Sequence, residues 1–352
     1  MNFSSDNWAG AHPRIASALA SQSGGFDSPY GKGTLDRKVA NTFNEIFERE
    51  VSVFFVGTGT AANSLALTLN DRPGGIAFCH REAHVIEDEC GAPEFFTGGS
   101  RLRAVHGPLG RMTPENLDQA ISRFMPHVVH SGRPTSVTIT QSTEAGTVYD
   151  LDAIEAIAGV TKRHGLALHM DGARFANALV ALDTTPAEMT WKRGVDILSF
   201  GGTKNGCWCA EAIVLFDTAR ADDLAFIQKR AAQLFSKTRF IAAQFDAYFE
   251  GGLWLDTARH ANAMAERLAD AIRASPKARL AWEPQANEVF AIMEKATMDG
   301  AFAGGASFYP WNAPHGLDGR VGSDETMCRF VTSFATTIED IEKMGAFLGQ
   351  EA

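Results

Sequence analysis

Cysteine is scarce in this sequence: five residues, at positions 79, 90, 207, 209 and 328, in a chain of 352. So sparse and odd-numbered a set does not build a disulfide scaffold and points to a reducing cytoplasm. Cys207-Trp208-Cys209 has no second pair and no histidine at ligand spacing, so no metal site is expected. No run approaches the ~20 apolar residues of a membrane-spanning helix. The opening MNFSSDNWAG lacks the basic head and apolar core of a secretory signal. Positive charge is also in short supply. Lys and Arg number 32 against 42 Asp and Glu, a formal net charge of -10, which argues against nucleic acid or an anionic membrane as partner. What remains is ordinary globular composition, 45% hydrophobic and 21% charged, long enough for one large domain and a smaller one.

Short apolar runs alternate with amphipathic stretches through the first two-thirds of the chain. The expected strands are Val51–Val56, Gly75–Cys79, Leu102–Val105, Ser136–Thr140, Leu166–Met170, Asp196–Phe200 and Ala212–Phe216. Between them lie helical patterns such as Thr60–Asn70, Pro114–Phe124 and Leu151–His164, with Thr113-Pro114 as a cap and first helical residue. This alternation reads as an α/β fold with a mostly parallel central sheet covered by helices. Ligands on such sheets gather at the carboxyl ends of the strands. Residues 219–274 turn helical with a break near Glu250-Gly-Gly252, and the remainder mixes strand and helix. The expected organisation is an N-terminal arm (1–30), a large domain (31–245) and a small C-terminal α+β domain (246–352).

Three segments carry candidate chemistry. In Phe55-Val-Gly-Thr-Gly-Thr-Ala-Ala-Asn63 a strand runs through a glycine-rich turn into a helix, whose free amides can face an anion. The same segment also fits a dinucleotide fingerprint, Gly57-x-Gly59-x-x-Ala62 with Glu82 downstream, and a plain tight turn. In Leu166-Ala-Leu-His-Met-Asp-Gly-Ala-Arg174 an apolar strand delivers Asp171 at its carboxyl end. A buried carboxylate there needs a cation, either a protonated ring nitrogen or an arginine of the protein. In Asp196-Ile-Leu-Ser-Phe-Gly-Gly-Thr-Lys-Asn-Gly206 another strand ends in two glycines and Lys204, whose amine could attack a carbonyl or sit solvated on a loop.

Together these features describe one cofactor, pyridoxal 5'-phosphate (PLP). It requires an anion cradle, a carboxylate that keeps its ring nitrogen protonated, and an amine for a Schiff base. A nicotinamide site would use the first segment and leave the other two idle.

On these residues, and on Ala83-His-Val-Ile-Glu-Asp-Glu-Cys-Gly-Ala-Pro-Glu-Phe96, the chain resembles the low-specificity L-threonine and phenylserine aldolases, PLP enzymes of fold type I. The resemblance runs from Ser5-Asp6-Asn7 to Arg329-Phe-Val-Thr332. It implies Lys204 as the Schiff-base lysine, Asp171 as the ring-nitrogen partner, and Gly59 and Thr60 as phosphate contacts. It implies His84 stacked on the pyridine ring, and His130 as a second active-site histidine near the substrate hydroxyl. Ser5, Arg174 and Arg329 match the groups that hold the substrate carboxylate. Tyr30 matches a tyrosine that reaches into a neighbouring subunit's site, and Lys229 or Arg230 a basic residue at the phosphate. A homo-oligomer, dimer or tetramer, with shared sites follows from that comparison. The family usually carries acidic residues after the Tyr-Gly pair, whereas Gly31 here precedes Lys32.

The implied reaction is retro-aldol cleavage of L-threonine, L-allo-threonine or phenylserine to glycine and an aldehyde, with His84 or His130 as base. β-Elimination and racemisation by the same lysine and aspartate stay open, as does a nicotinamide-dependent oxidoreductase outside PLP chemistry.

Overall fold

A computed structural model of the chain describes residues 1–124, 128–314 and 316–349. Residues 350–352 of the C-terminal range lie outside the described residues. The large sheet comprises β1 (Ser52–Val56), β2 (Gly75–His80), β3 (Arg101–Val105), β4 (Arg133–Thr140), β5 (Ala167–Gly172), β6 (Ile197–Gly201) and β7 (Glu211–Leu215). Their order is β1-β7-β6-β5-β4-β2-β3, and only β7 runs against its neighbours. All seven expected strands form. The apolar runs of β2, β5, β6 and β7 are buried on both faces, as a helix-covered sheet requires, while the edge strands β1 and β3 are more exposed.

A smaller antiparallel sheet holds β8 (Ala278–Leu280), β9 (Glu288–Glu294), β10 (Tyr309–Pro310) and β11 (Glu325–Val331), in the order β10-β11-β9-β8. The helix Leu253–Arg273 joins the two units. Its Trp254 and Ala258 pack in the main core, while Met264, Leu268 and Ile272 pack beneath the small sheet. The core therefore changes partway along that helix, later in the chain than residue 245, because one long helix can give its two halves to two cores. The break expected near Glu250 is present: Gly251 and Gly252 adopt φ of 62° and 75°, left-handed values that suit glycine. Residues 1–30 are tied into the body. Phe3 is buried in the small-domain cluster, its carbonyl accepts from the Val331 amide, and Ile15 sits in the main core.

Two features fix the strand ends that matter. Phe200, on β6, packs in an aromatic cluster in which Phe43 lies 5.3 Å from Phe200, 5.5 Å from Phe245 and 5.1 Å from Phe249, ring centre to ring centre. Each buried ring contributes on the order of 1.5–3 kcal/mol, so β6 is firmly seated just before Lys204. At the tips of β5 and β6 the backbones press together. A Cβ on Gly201 would meet the Ala173 carbonyl oxygen at 2.6 Å, and one on Gly172 the Ser199 carbonyl oxygen at 2.7 Å. Glycine at both tips lets the loops bearing Asp171 and Lys204 converge.

Candidate active site

The carboxyl ends of β1, β2, β4, β5 and β6, with the start of the reversed β7, surround a cavity of about 620 Å³. The small domain closes one side with Glu288, Tyr309, Trp311 and Arg329, and the N-terminal segment adds Ser5. Of the residues singled out from sequence, Lys204, Asp171, His84, Gly59, Thr60, Ser5, Arg174 and Arg329 all line it.

The helix Gly59–Leu69 begins at its rim. Thr58 caps it by accepting from the Ala61 amide at 3.1 Å, and Gly59 and Thr60, at the positive end of the helix dipole, line the cavity. Beyond a Cβ built on Gly59 there is open space. One turn along, the Asn63 side-chain amide donates to Asp171 Oδ2 at 2.9 Å and to Glu89 Oε1 at 2.8 Å. Glu89 in turn meets His84 Nδ1 at 2.9 Å. Through this hydrogen bond Glu89 raises the His84 pKa against the effect of burial, with Asp171 adding to the rise.

Asp171 is 3% exposed. It accepts from Asn63 and from the Ala173 amide at 3.0 Å, and among the described residues no guanidinium or ammonium forms an ion pair with it. Burying a carboxylate without a counter-cation is costly, so the site fits a ligand that brings one, as a protonated pyridine nitrogen does. Lys204 is half-buried in the short turn Thr203–Asn205, and among the described residues no carboxylate lies within salt-bridge reach of it. The set of anion cradle, cation-seeking carboxylate and accessible amine around one cavity fits PLP.

Arg174 does not supply the missing cation. Its guanidinium turns to Asp6, with Nε–Oδ2 at 2.7 Å and Nη2–Oδ1 at 3.1 Å, and to Glu288 Oε2 at 3.3 Å. Arg329 lies 3.9 Å from Glu288 Oε1 and stacks 4.0 Å above the Trp311 ring. Two further carboxylates on the cavity wall, Glu144 and Glu211, have pKa values pushed up to about 7 by burial.

Three sequence-derived positions fall elsewhere. His130 precedes β4, a parallel strand, and is exposed at the amino edge of the sheet. A Cβ on its neighbour Gly132 would touch Arg101 and Ile76, at the starts of β3 and β2. Strand direction therefore puts His130 on the opposite edge from the cavity of its own chain, which corrects its assignment as a base there. Lys229 and Tyr30 line a separate cavity of about 760 Å³ beside the edge strand β1, with the ammonium 5.6 Å from the tyrosine ring centre. On the helix Ala221–Arg230, Leu224 and Gln228 face inward, so Lys229 is directed away from its own chain's phosphate cradle. Lys32 lies in the wall of that second cavity.

Sequence reasoning missed Asn63, Glu89, Glu144, Glu211, Asp6 and Glu288. Asn63 and Glu89 sit inside the quoted motifs, and helical spacing from Gly59 could have flagged Asn63. Glu288 heads an apolar run, Val289–Met293, where a charge is out of place.

Comparison with known proteins agrees with this geometry. The sequence profile of the family described as "Beta-eliminating lyase" matches residues 2–296. The chain is 39% identical over 343 residues to a low specificity L-threonine aldolase of Pseudomonas aeruginosa, covering 97% of this chain and 95% of that protein. It is 41% identical over 307 residues to the enzyme of that name from another Pseudomonas strain, covering 87% and 88%. A solved structure of Leishmania major threonine aldolase superposes with a TM-score of 0.91 at 27% identity, covering 99% of this chain and 98% of the other. With its cavity built for PLP, the cofactor of this group, the chain belongs to the beta-eliminating lyase family, alongside the low-specificity L-threonine aldolases.

Proposed function

We propose that the chain cleaves L-3-hydroxy-2-amino acids (L-threonine, L-allo-threonine and phenylserine) to glycine and an aldehyde, using PLP. The observation that carries this reading is the convergence of Lys204, Asp171, His84 and two arginines on one cavity at the strand ends. Near-complete coverage of relatives named as threonine aldolases supports it.

Bound PLP supplies an electron sink for the pair left on Cα when the Cα–Cβ bond breaks. Lys204 provides the amine that holds it. Asp171, fixed by Asn63 and the Ala173 amide, keeps the ring nitrogen protonated. Gly59 and Thr60, at the helix start, take the phosphate. Ser5, Arg174 and Arg329 hold the substrate carboxylate and so orient the bond to be broken. His84, on the cavity wall, would lie against the ring of bound PLP and accept the β-hydroxyl proton, with Glu89 fixing its tautomer from behind. Tyr30 and Lys229 serve a neighbouring subunit's site in a homo-oligomer. Their position supports this: both lie outside their own chain's cavity, and Tyr30 is 47% exposed. The five free cysteines fit a cytoplasmic setting.

The test is an absorbance spectrum of the PLP-loaded protein before and after addition of L-threonine, with acetaldehyde assayed in parallel. A visible band and acetaldehyde release are expected. A band with neither acetaldehyde nor phenylserine cleavage would point to elimination or racemisation, and no band would overturn the lysine and aspartate assignments.

A further inference from the structure

The carboxylate end of the cavity is already electrically balanced. Arg174 and Arg329 contribute two positive charges, and Asp6 and Glu288 two negative ones, all on largely buried side chains. A substrate carboxylate adds a third anion to a desolvated pocket, where repulsion at contact distance is far stronger than in water. The site must shed a negative charge to take it.

The two resident carboxylates are not equivalent. Asp6 accepts from Arg174 Nε at 2.7 Å, from Arg174 Nη2 at 3.1 Å and from the Asn287 amide at 3.0 Å, all of which favour its ionised form. Glu288 is 0% exposed, and neither of its oxygens has a hydrogen-bond partner. Its nearest cations are Arg174 Nη1 at 3.3 Å and Arg329 Nη1 at 3.9 Å. The charged groups facing it are Asp6 from the N-terminal segment, Arg174 after β5, Lys204 after β6 and Arg329 on β11. The loop Thr143–Thr147 also packs on its backbone at Gly146 and carries Glu144. Burial works against ionisation of Glu288 even between two arginines.

Resting on the reading that Arg174 and Arg329 receive the substrate carboxylate, we propose that Glu288 is a proton-coupled gate for that carboxylate. The incoming anion takes the two guanidinium groups, and Glu288 accepts one proton from solvent as it gives them up. Glu288 is a positioning residue here, acting through the arginines. The complex then holds one more proton than the free enzyme, so affinity falls as pH rises through the window in which Glu288 is ionised when free and protonated when occupied. The limit is about tenfold per pH unit.

The probe is 3-hydroxybutyrate, which has the carboxylate and hydroxyl of threonine but no amine to titrate. Its binding to the PLP-loaded protein is followed by calorimetry in two buffers of different ionisation enthalpy, across about pH 6 to 9. We expect about one proton taken up per molecule bound in the wild type within the window, and a dissociation constant that rises with pH. Glu288→Gln is expected to abolish the uptake and flatten the pH dependence. Absence of uptake in the wild type, or uptake that persists in Glu288→Gln, overturns the proposal. If the variant fails to retain PLP, Glu288→Ala takes its place, and the wild-type proton count still decides whether binding is proton-coupled. Acetaldehyde release from L-threonine, measured on the same preparation, tests the aldolase reading separately, because the binding experiment does not depend on turnover.

Discussion

The two ends of the cavity are built differently. At the cofactor end, His84, Glu89, Asn63 and Asp171 form one chain of hydrogen bonds, each between 2.8 and 2.9 Å. At the carboxylate end, Glu288 is held only by guanidinium groups at 3.3 and 3.9 Å, without a hydrogen bond to either oxygen. The first arrangement is set before any ligand arrives, so Asp171 and His84 need no rearrangement to act. The second pairs Arg174 with resident carboxylates and leaves Arg329 Nε without a hydrogen-bond partner, so a substrate carboxylate enters by exchange at Glu288. Preorganisation serves the group that does the chemistry, and exchangeable pairing serves the group that comes and goes.

Four substitutions would sharpen that contrast. The largest effect is expected from Lys204→Ala, which removes the only amine that the cavity offers PLP among the described residues. The visible band of the loaded protein should vanish and aldehyde release fall at least ~10³-fold. Asp171→Asn keeps the shape but removes the charge facing the ring nitrogen and one of the two acceptors that meet Asn63 and the Ala173 amide. Turnover should drop roughly 10²- to 10³-fold while the band persists, and an unchanged kcat would refute the electron-sink role. At the other end, Arg329→Lys replaces a planar guanidinium stacked on Trp311 with a point charge. KM for L-threonine should rise about 10- to 100-fold, with kcat changed much less. An equal loss in kcat would mean that this arginine shapes the transition state and not just the bound substrate.

The mildest change, Glu89→Gln, tests how the histidine is tuned. The Glu89 hydrogen bond raises the His84 pKa, and His84 acts as a base only when neutral, so activity falls as pH drops through that value. Removing the carboxylate lowers the His84 pKa, so the acid limb of kcat/KM should move to lower pH. The plateau should stay within about tenfold of the wild type. An unmoved acid limb would detach His84 from the observed titration.

Much of this was legible in the chain. The seven strands of the large sheet follow from apolar runs separated by helical periodicity. Asp171 and Lys204 could be placed because each follows directly on such a run, and parallel strands send their carboxyl ends to one edge. By the same rule His130, three residues before β4, belongs at the amino edge; similarity of sequence had grouped it with the site where strand direction does not. That Lys229 lies outside its own chain's cavity has another reason. Helical periodicity fixes which residues point inward only once it is known what the helix packs on, here the helix Gly59–Leu69 and the edge strand β1.

By itself the sequence determined the alternation of elements, the chemistry at the strand tips and the kind of cofactor those tips suit. All of these are encoded in local patterns of a few residues. Only the tertiary structure decided how the charges pair. Arg174 meets Asp6 across 168 residues of chain, and Asn287 meets Asp6 across 281. Nothing local distinguishes Asp6 from the other acidic residues among the chain's 42. Which of them faces an arginine depends on how the N-terminal segment and the small sheet close over the large one, and there the balance of charge around the substrate is set.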